Sequence, residues 1–157
     1  MAKKPKENKS LPIHILNGPN INLLGDRQPE IYGSTTLAQI GQMCAVQAKG
    51  HGHATVLRQT NHEGVLVDQI QEARKQACAI IINPGAYSHT SIAVLDALLA
   101  CEIPVIEVHL SNIHRRDAFR DHSYVSKAAT GIVMGLGAQG YLRAIDAVAE
   151  ILKAKKA

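Results

Sequence analysis

Cys78-Ala79-Ile80-Ile81-Ile82 is a continuous apolar run set between polar segments. A run of that length with no polar alternation is what a strand covered on both faces requires, and such strands belong to parallel sheets. Working outward, four similar runs recur at Pro12–Leu16, Ala54–Gln59, Pro104–Val108 and Gly131–Met134. Pro104 stands at the first position of its strand, where a missing N–H is tolerated. Between the runs lie helical patterns over about Thr35–Lys49, Gly64–Gln76 and Thr90–Cys101, and a last one over Gln139–Ala154. Ser34 or Thr35 is placed to cap the first helix and Gly50-His51-Gly52 to end it.

Alternation of strand and helix predicts right-handed crossovers and a parallel sheet with helices on both faces. Five such units in 157 residues fit one α/β domain, a three-layer, flavodoxin-like sandwich with a five-stranded parallel sheet. That domain is expected over residues 11–157. The polar stretch 1–10, with Lys3, Lys4, Lys6 and Lys9, reads as a disordered basic tail and lacks the apolar segment of a secretory signal.

Composition removes several functions. The net charge of +4 owes much to that tail, and the chain has no Trp and one Phe. Single-strand nucleic-acid binders need aromatic platforms, so no nucleic-acid partner is expected. No apolar run reaches the ~18 residues of a membrane span. The three cysteines, Cys44, Cys78 and Cys101, are odd in number, far apart and set in apolar patterns. They read as small buried hydrophobes in a reducing cytoplasm. The eight histidines form no His-x-x-x-His pair and no mixed Cys/His cluster, so no structural zinc site is expected. Gly135-Leu-Gly-Ala-Gln-Gly140 matches a dinucleotide fingerprint, but only one helix remains before the chain ends. The acidic residue about 20 positions on, at a following strand, has no place. A tight turn and close helix–sheet contact are the better reading.

In open α/β sheets ligands bind beyond the carboxyl ends of the strands. After strand one comes a long loop, Asn17 to Gly33, with Asn20, Arg27 and Tyr32, and with Ile21, Leu23, Leu24 and Ile31 as expected apolar anchors. Connections of that length are usually lids or binding loops. After strand two come Asn61, His62 and Glu63; after strand three, Asn83, Tyr87, Ser88 and His89; after strand four, His109, Ser111, Asn112 and Arg115. Strand alternation puts Glu107 on the face of His109, where a carboxylate can fix the ring tautomer and support an imidazolium. A guanidinium about 4 Å from a phenolate favours it by up to ~4 kcal/mol at an effective dielectric near 20, and Arg27 shares its loop with Tyr32. Taken singly, a loop tyrosine is more often a packing residue and a strand-end histidine more often structural. Their convergence on one sheet edge reverses that for His109.

Five signatures in order, Asn17-Gly-Pro-Asn-Ile-Asn-Leu-Leu-Gly25, Arg27 through Tyr32-Gly33, Asn61-His-Glu-Gly64, Ile82-Asn-Pro-Gly-Ala-Tyr-Ser-His-Thr-Ser91 and Glu107-Val-His-Leu-Ser-Asn112, make the chain resemble a type II 3-dehydroquinate dehydratase from about Leu11 to Tyr141. Departures are mild: Ile21 where Leu is common, Gln28 for the usual Glu, and variation at Tyr87-Ser88. The resemblance implies a hydro-lyase of the shikimate pathway, needing no cofactor and no metal. It would remove water from 3-dehydroquinate by trans-elimination through an enolate. Tyr32 would be the base, Arg27 its electrostatic support, His109 the general acid oriented by Glu107, and Asn20 a carrier of enolate charge. Asn83, His89, Leu110 (through its backbone), Ser111 and Arg120 would bind substrate. Asp96 would reach it from an adjacent subunit of a homododecamer, a tetramer of trimers. No lysine stands where an imine-forming one is expected. The rivals are a flavodoxin-like module binding a mononucleotide or flavin, and a carbohydrate-acid binding protein without turnover.

Overall fold

The computed structural model describes residues 10–157. The disordered tail expected over residues 1–10 therefore lies, but for Ser10, outside the described residues. Five strands, β1 (Ile13–Asn17), β2 (Thr55–Gln59), β3 (Ala79–Asn83), β4 (Val105–His109) and β5 (Gly131–Met134), pair in parallel in the order β2-β1-β3-β4-β5. Each expected strand exists. Three of the five reach one residue further at the carboxyl end, so Asn17, Asn83 and His109 are themselves strand residues. In-register pairing explains the extension: Asn17 lies opposite Asn83, and the Gly18 N–H still donates to the Asn83 carbonyl at 2.8 Å.

The helices are α1 (Pro29–Tyr32), α2 (Leu37–Gly50), α3 (Glu63–Gln76), α4 (Tyr87–Thr90), α5 (Ile92–Leu99) and α6 (Gln139–Lys156). α2 begins later than expected because its cap is Thr36, not Ser34 or Thr35. The Thr36 hydroxyl accepts from Gln39 N–H at 3.2 Å and the Gln39 side chain accepts from Thr36 N–H at 2.9 Å, a reciprocal arrangement that satisfies two orphan donors. α5 is likewise capped by Ser91, whose hydroxyl accepts from Val94 N–H at 2.9 Å.

Alternation along β3 feeds two cores. Ile81 joins Ile13, Ile15, Ile106 and Val108 under α2 and α6, while Ile80 and Ile82 join Leu16 and Val105 under α3 and α5. All five β3 residues are buried. Burial of each isoleucine contributes about 2 kcal/mol, so the central strand anchors both layers. The polar edge opposite the strand carboxyl ends carries Lys49, Gln76 and Glu102, all exposed. His51 there pairs with Asp146 at 2.8 Å. Gly135 and Gly137 take φ of 84° and 57° in a turn. A Cβ at Gly140 would lie 3.5 Å from Val133 and 3.6 Å from Val108, which is close helix–sheet contact.

The chain leaves β1 toward one edge, returns across it and enters β3. The crevice at that reversal is where such sheets hold ligands. Its floor is tight: a Cβ on Gly18 would lie 2.2 Å from the Pro84 carbonyl oxygen, so only glycine fits between the two turns.

Candidate active site

The loop after β1 is not structureless. Asn20 takes the left-handed conformation (φ 66°) ahead of a single 3-10 turn at Ile21–Leu23. Asn, with Asp and His, tolerates that region better than bulkier residues, and the Asn20 N–H is held at 3.0 Å by the Asn61 side chain. Gln59 adds a hydrogen bond at 3.1 Å to the Gly18 carbonyl, so the end of β2 fixes the loop's entry. Pro29 opens the single turn α1 and Gly33 (φ 81°) ends it, presenting Tyr32. Of the four expected anchors, Leu24 is buried and Ile21 packs on the core. Leu23 and Ile31 do not serve: they are 43% and 41% exposed, on the outer side of their turns.

One cleft, open to solvent, collects Asn20, Arg27, Tyr32, Asn83, His89, His109, Leu110, Ser111 and Arg120. These residues lie up to 100 positions apart in the sequence, and the fold brings them around one cleft. Glu107 stands directly behind His109. Asp96 does not join them: it is exposed on α5, in a separate groove between α3 and α5.

At one side of the cleft the Tyr32 hydroxyl accepts a hydrogen bond at 2.6 Å from a guanidinium, and that guanidinium belongs to Arg116. Arg27 instead lies over the ring, 5.7 Å from its centroid, with Arg116 5.6 Å away on the same measure. Two cations thus face one phenol, and sequence reasoning identified only Arg27. The neighbouring Arg115 was noticed beyond β4, but the 3-10 turn Ile113–Arg115 turns the following residue, Arg116, into the cleft.

At the other side His109 Nε2 meets the Glu107 carboxylate at 2.6 Å, and both are buried. Ser126 donates to the second carboxylate oxygen at 2.5 Å, and Ser123 donates to the oxygen that His109 holds. Burial pushes the Glu107 carboxyl up, but the hydrogen bonds from His109, Ser123 and Ser126 outweigh it and hold the group below its ordinary value. An ionised carboxylate only accepts, so the nitrogen facing it carries a proton and Nδ1 is left for proton exchange. Both serines were missed; they come from the loop before β5.

This arrangement has a consequence in acid. A depressed carboxylate contributes stability that is complete above its ordinary pKa of 4.5 and is lost as pH falls below it, through the folded value. Thermal melts should therefore show Glu107→Gln losing less stability than wild type as pH drops below 4.5. Parallel pH dependence of the two proteins would contradict this.

His89 and His122 clasp one another. The His89 Nδ1–H donates to the His122 carbonyl at 2.6 Å, and His122 Nε2 donates to the His89 carbonyl at 3.1 Å. Burial lowers the His89 pKa, against the opposing pull of that carbonyl, so a neutral ring offers Nε2 to the cleft. The buried Nε of Arg120 has no hydrogen-bond partner among the described residues, the Asp117 carboxylate being 3.7 Å away. An idle guanidinium donor in a cleft suits an anionic ligand. Among the described residues no group of three His, Cys, Asp or Glu side chains could hold a metal ion, and no helix is long and apolar enough to cross a membrane.

The family model Dehydroquinase class II matches residues 11–149. A 3-dehydroquinate dehydratase of Streptomyces coelicolor is 56% identical over 154 residues, covering 98% of each chain. One of Streptomyces avermitilis is 58% identical over 147 residues, covering 93% of this chain and 92% of that one. The crystal structure of type II dehydroquinase from Propionibacterium acnes superposes with a TM-score of 0.86 at 41% identity, covering 90% of this chain and 97% of that one. With that match over nearly all its length, the chain belongs to the class II dehydroquinase family.

Proposed function

We propose that the cleft dehydrates 3-dehydroquinate to 3-dehydroshikimate, with residues 11–157 acting as one catalytic unit. The supporting observation is that the Tyr32 hydroxyl, held by Arg116, and His109, held by Glu107, open onto the same cleft. Tyr32, as phenolate, takes the proton from the carbon beside the ketone. The electron pair moves onto the ketone oxygen as an enolate, whose charge Asn20 and a water at the Asn83-Pro84-Gly85 turn help carry. When the enolate collapses, the ring hydroxyl leaves with a proton from the His109 imidazolium, and Glu107 stabilises that cation. A conjugated enone and one water result. Arg116 and Arg27 supply the positive charge that meets the phenolate. Asn83, His89, Leu110, Ser111 and Arg120 hold the ring hydroxyls and carboxylate.

The geometry fits the chemistry. Proton removal beside a ketone needs an aimed base, hydroxide needs an acid to leave, and donors must be in place where the oxyanion forms. Asp96, on its separate groove, would act in the cleft of an adjacent subunit within a trimer, four trimers making a dodecamer. The setting is the cytoplasm, in keeping with three free cysteines.

The test is direct. Purified protein with no added cofactor should convert 3-dehydroquinate to product, followed by the ultraviolet absorbance of the enone. Borohydride with substrate should leave activity intact, because no lysine imine forms. A folded sample without turnover would sink the proposal, and borohydride inactivation would replace its mechanism.

A further inference from the structure

Behind Asn83 lies a buried chain of polar side chains that the mechanism leaves unused. Tyr141, in the first turn of α6, is 0% exposed and is the largest fully buried side chain among the described residues. Its hydroxyl donates to the Asn17 Oδ1 at 2.6 Å and accepts from the Asn83 Nδ2 at 3.0 Å. Burial pushes the phenol well above its ordinary pKa, so it remains a hydroxyl with a single proton to give. The direction of the chain is set at both ends by backbone. Asn17 Nδ2 donates to the Arg58 carbonyl at 3.0 Å, and Asn83 Oδ1 accepts from Gly85 N–H at 3.2 Å. Reversing the Asn83 amide would set donor against donor at Gly85, and reversing Asn17 would set acceptor against acceptor at Arg58. Tyr141 couples the two amides, because a hydroxyl that donates to one can only accept from the other. The oxygen of a donating hydroxyl is also a stronger acceptor.

Neither Tyr141 nor Asn17 lines the cleft, whereas Asn83 does. We propose that Tyr141 is a positioning residue: its hydroxyl locks the Asn83 amide so that the second N–H is presented to a ring hydroxyl or carboxylate oxygen of the bound substrate. This inference rests on the dehydratase reading of the cleft. It assigns to the first turn of α6 a part in substrate recognition, acting through one intermediate side chain.

The experiment is steady-state kinetics of Tyr141→Phe on 3-dehydroquinate, beside Asn83→Ala and the double variant. Phe keeps the ring and removes the coupling oxygen. KM should rise about 5–20-fold, the worth of one well-placed hydrogen bond, while kcat per folded enzyme changes by less than about 3-fold. In the Asn83→Ala background the same change should leave KM where Asn83→Ala put it. A purely structural role would lower the folded fraction and leave KM unmoved. An unchanged KM in folded Tyr141→Phe, or a KM increase that adds fully to that of Asn83→Ala, overturns the inference. Should Tyr141→Phe not fold, Asn17→Ala carries the same test: it frees the hydroxyl to reverse, so KM should rise, and an unchanged KM overturns the proposal. Wild-type protein that fails to convert 3-dehydroquinate overturns the reading of the cleft, and that result appears before any variant is compared.

Discussion

Tyr32→Phe should lower kcat about 10²–10⁴-fold, the range expected for loss of a positioned general base, with KM little changed. The substitution is clean. Phe retains the ring that packs against the core and that both guanidiniums face, so packing and cation–π attraction survive. What disappears is the oxygen that Arg116 holds at 2.6 Å. A loss confined to kcat is the signature of a group used in the transition state rather than in uniform binding. The two cations should also separate. Arg116→Ala removes the guanidinium hydrogen-bonded to the oxygen and should cost more in kcat than Arg27→Ala, whose side chain lies over the ring. A folded Tyr32→Phe with kcat within about 3-fold of wild type would remove the tyrosine from the mechanism.

His109→Ala should be comparably damaging, again about 10²–10⁴-fold in kcat, for a different reason. Once the enolate has formed, the remaining obstacle is a leaving group as poor as hydroxide. Only an acid at that side of the cleft relieves it. Glu107 cannot substitute: it is fully buried behind the histidine and held by Ser123 and Ser126. The lesion should be specific to the leaving group. An analogue bearing fluoride in place of the departing hydroxyl needs no protonation, so His109→Ala should recover most of its rate on it. Tyr32→Phe should not, because its defect precedes departure. Equal recovery by both variants, or by neither, would contradict the separate roles of base and acid.

The residues alone led part of the way to this site. The strands were legible because Ile80, Ile81 and Ile82 must be covered on both sides, which leaves few architectures. Glu107 and His109 were legible as a pair because two positions along a strand share a face, and the pair is 2.6 Å apart. Arg116 and Tyr32 are 84 residues apart, and no periodicity connects them. Which arginine of a basic loop turns inward depends on a 3-10 turn too short to leave a pattern. Tyr141 was hidden for another reason. A tyrosine beginning an amphipathic helix reads as core, and its hydroxyl finds a purpose only when Asn17, 124 residues away, arrives beside it. Ser123 and Ser126 looked like ordinary loop polarity. Leu23 and Ile31 erred in the opposite direction, because apolar character was taken for burial.

The seclusion of Tyr141 reaches beyond recognition into optics. The chain has four tyrosines and no tryptophan, so nothing masks the near-ultraviolet bands by which phenol and phenolate differ. Tyr141 is locked out of that signal as a permanent phenol. Tyr87 is engaged through its hydroxyl with the Asn61 carbonyl, and Tyr124 stands at the edge of an aromatic pair with His122. Difference absorbance between the protein and its Tyr32→Phe variant therefore isolates a single chromophore. The enzyme carries its own indicator dye, placed at the hydroxyl that Arg116 holds in the cleft.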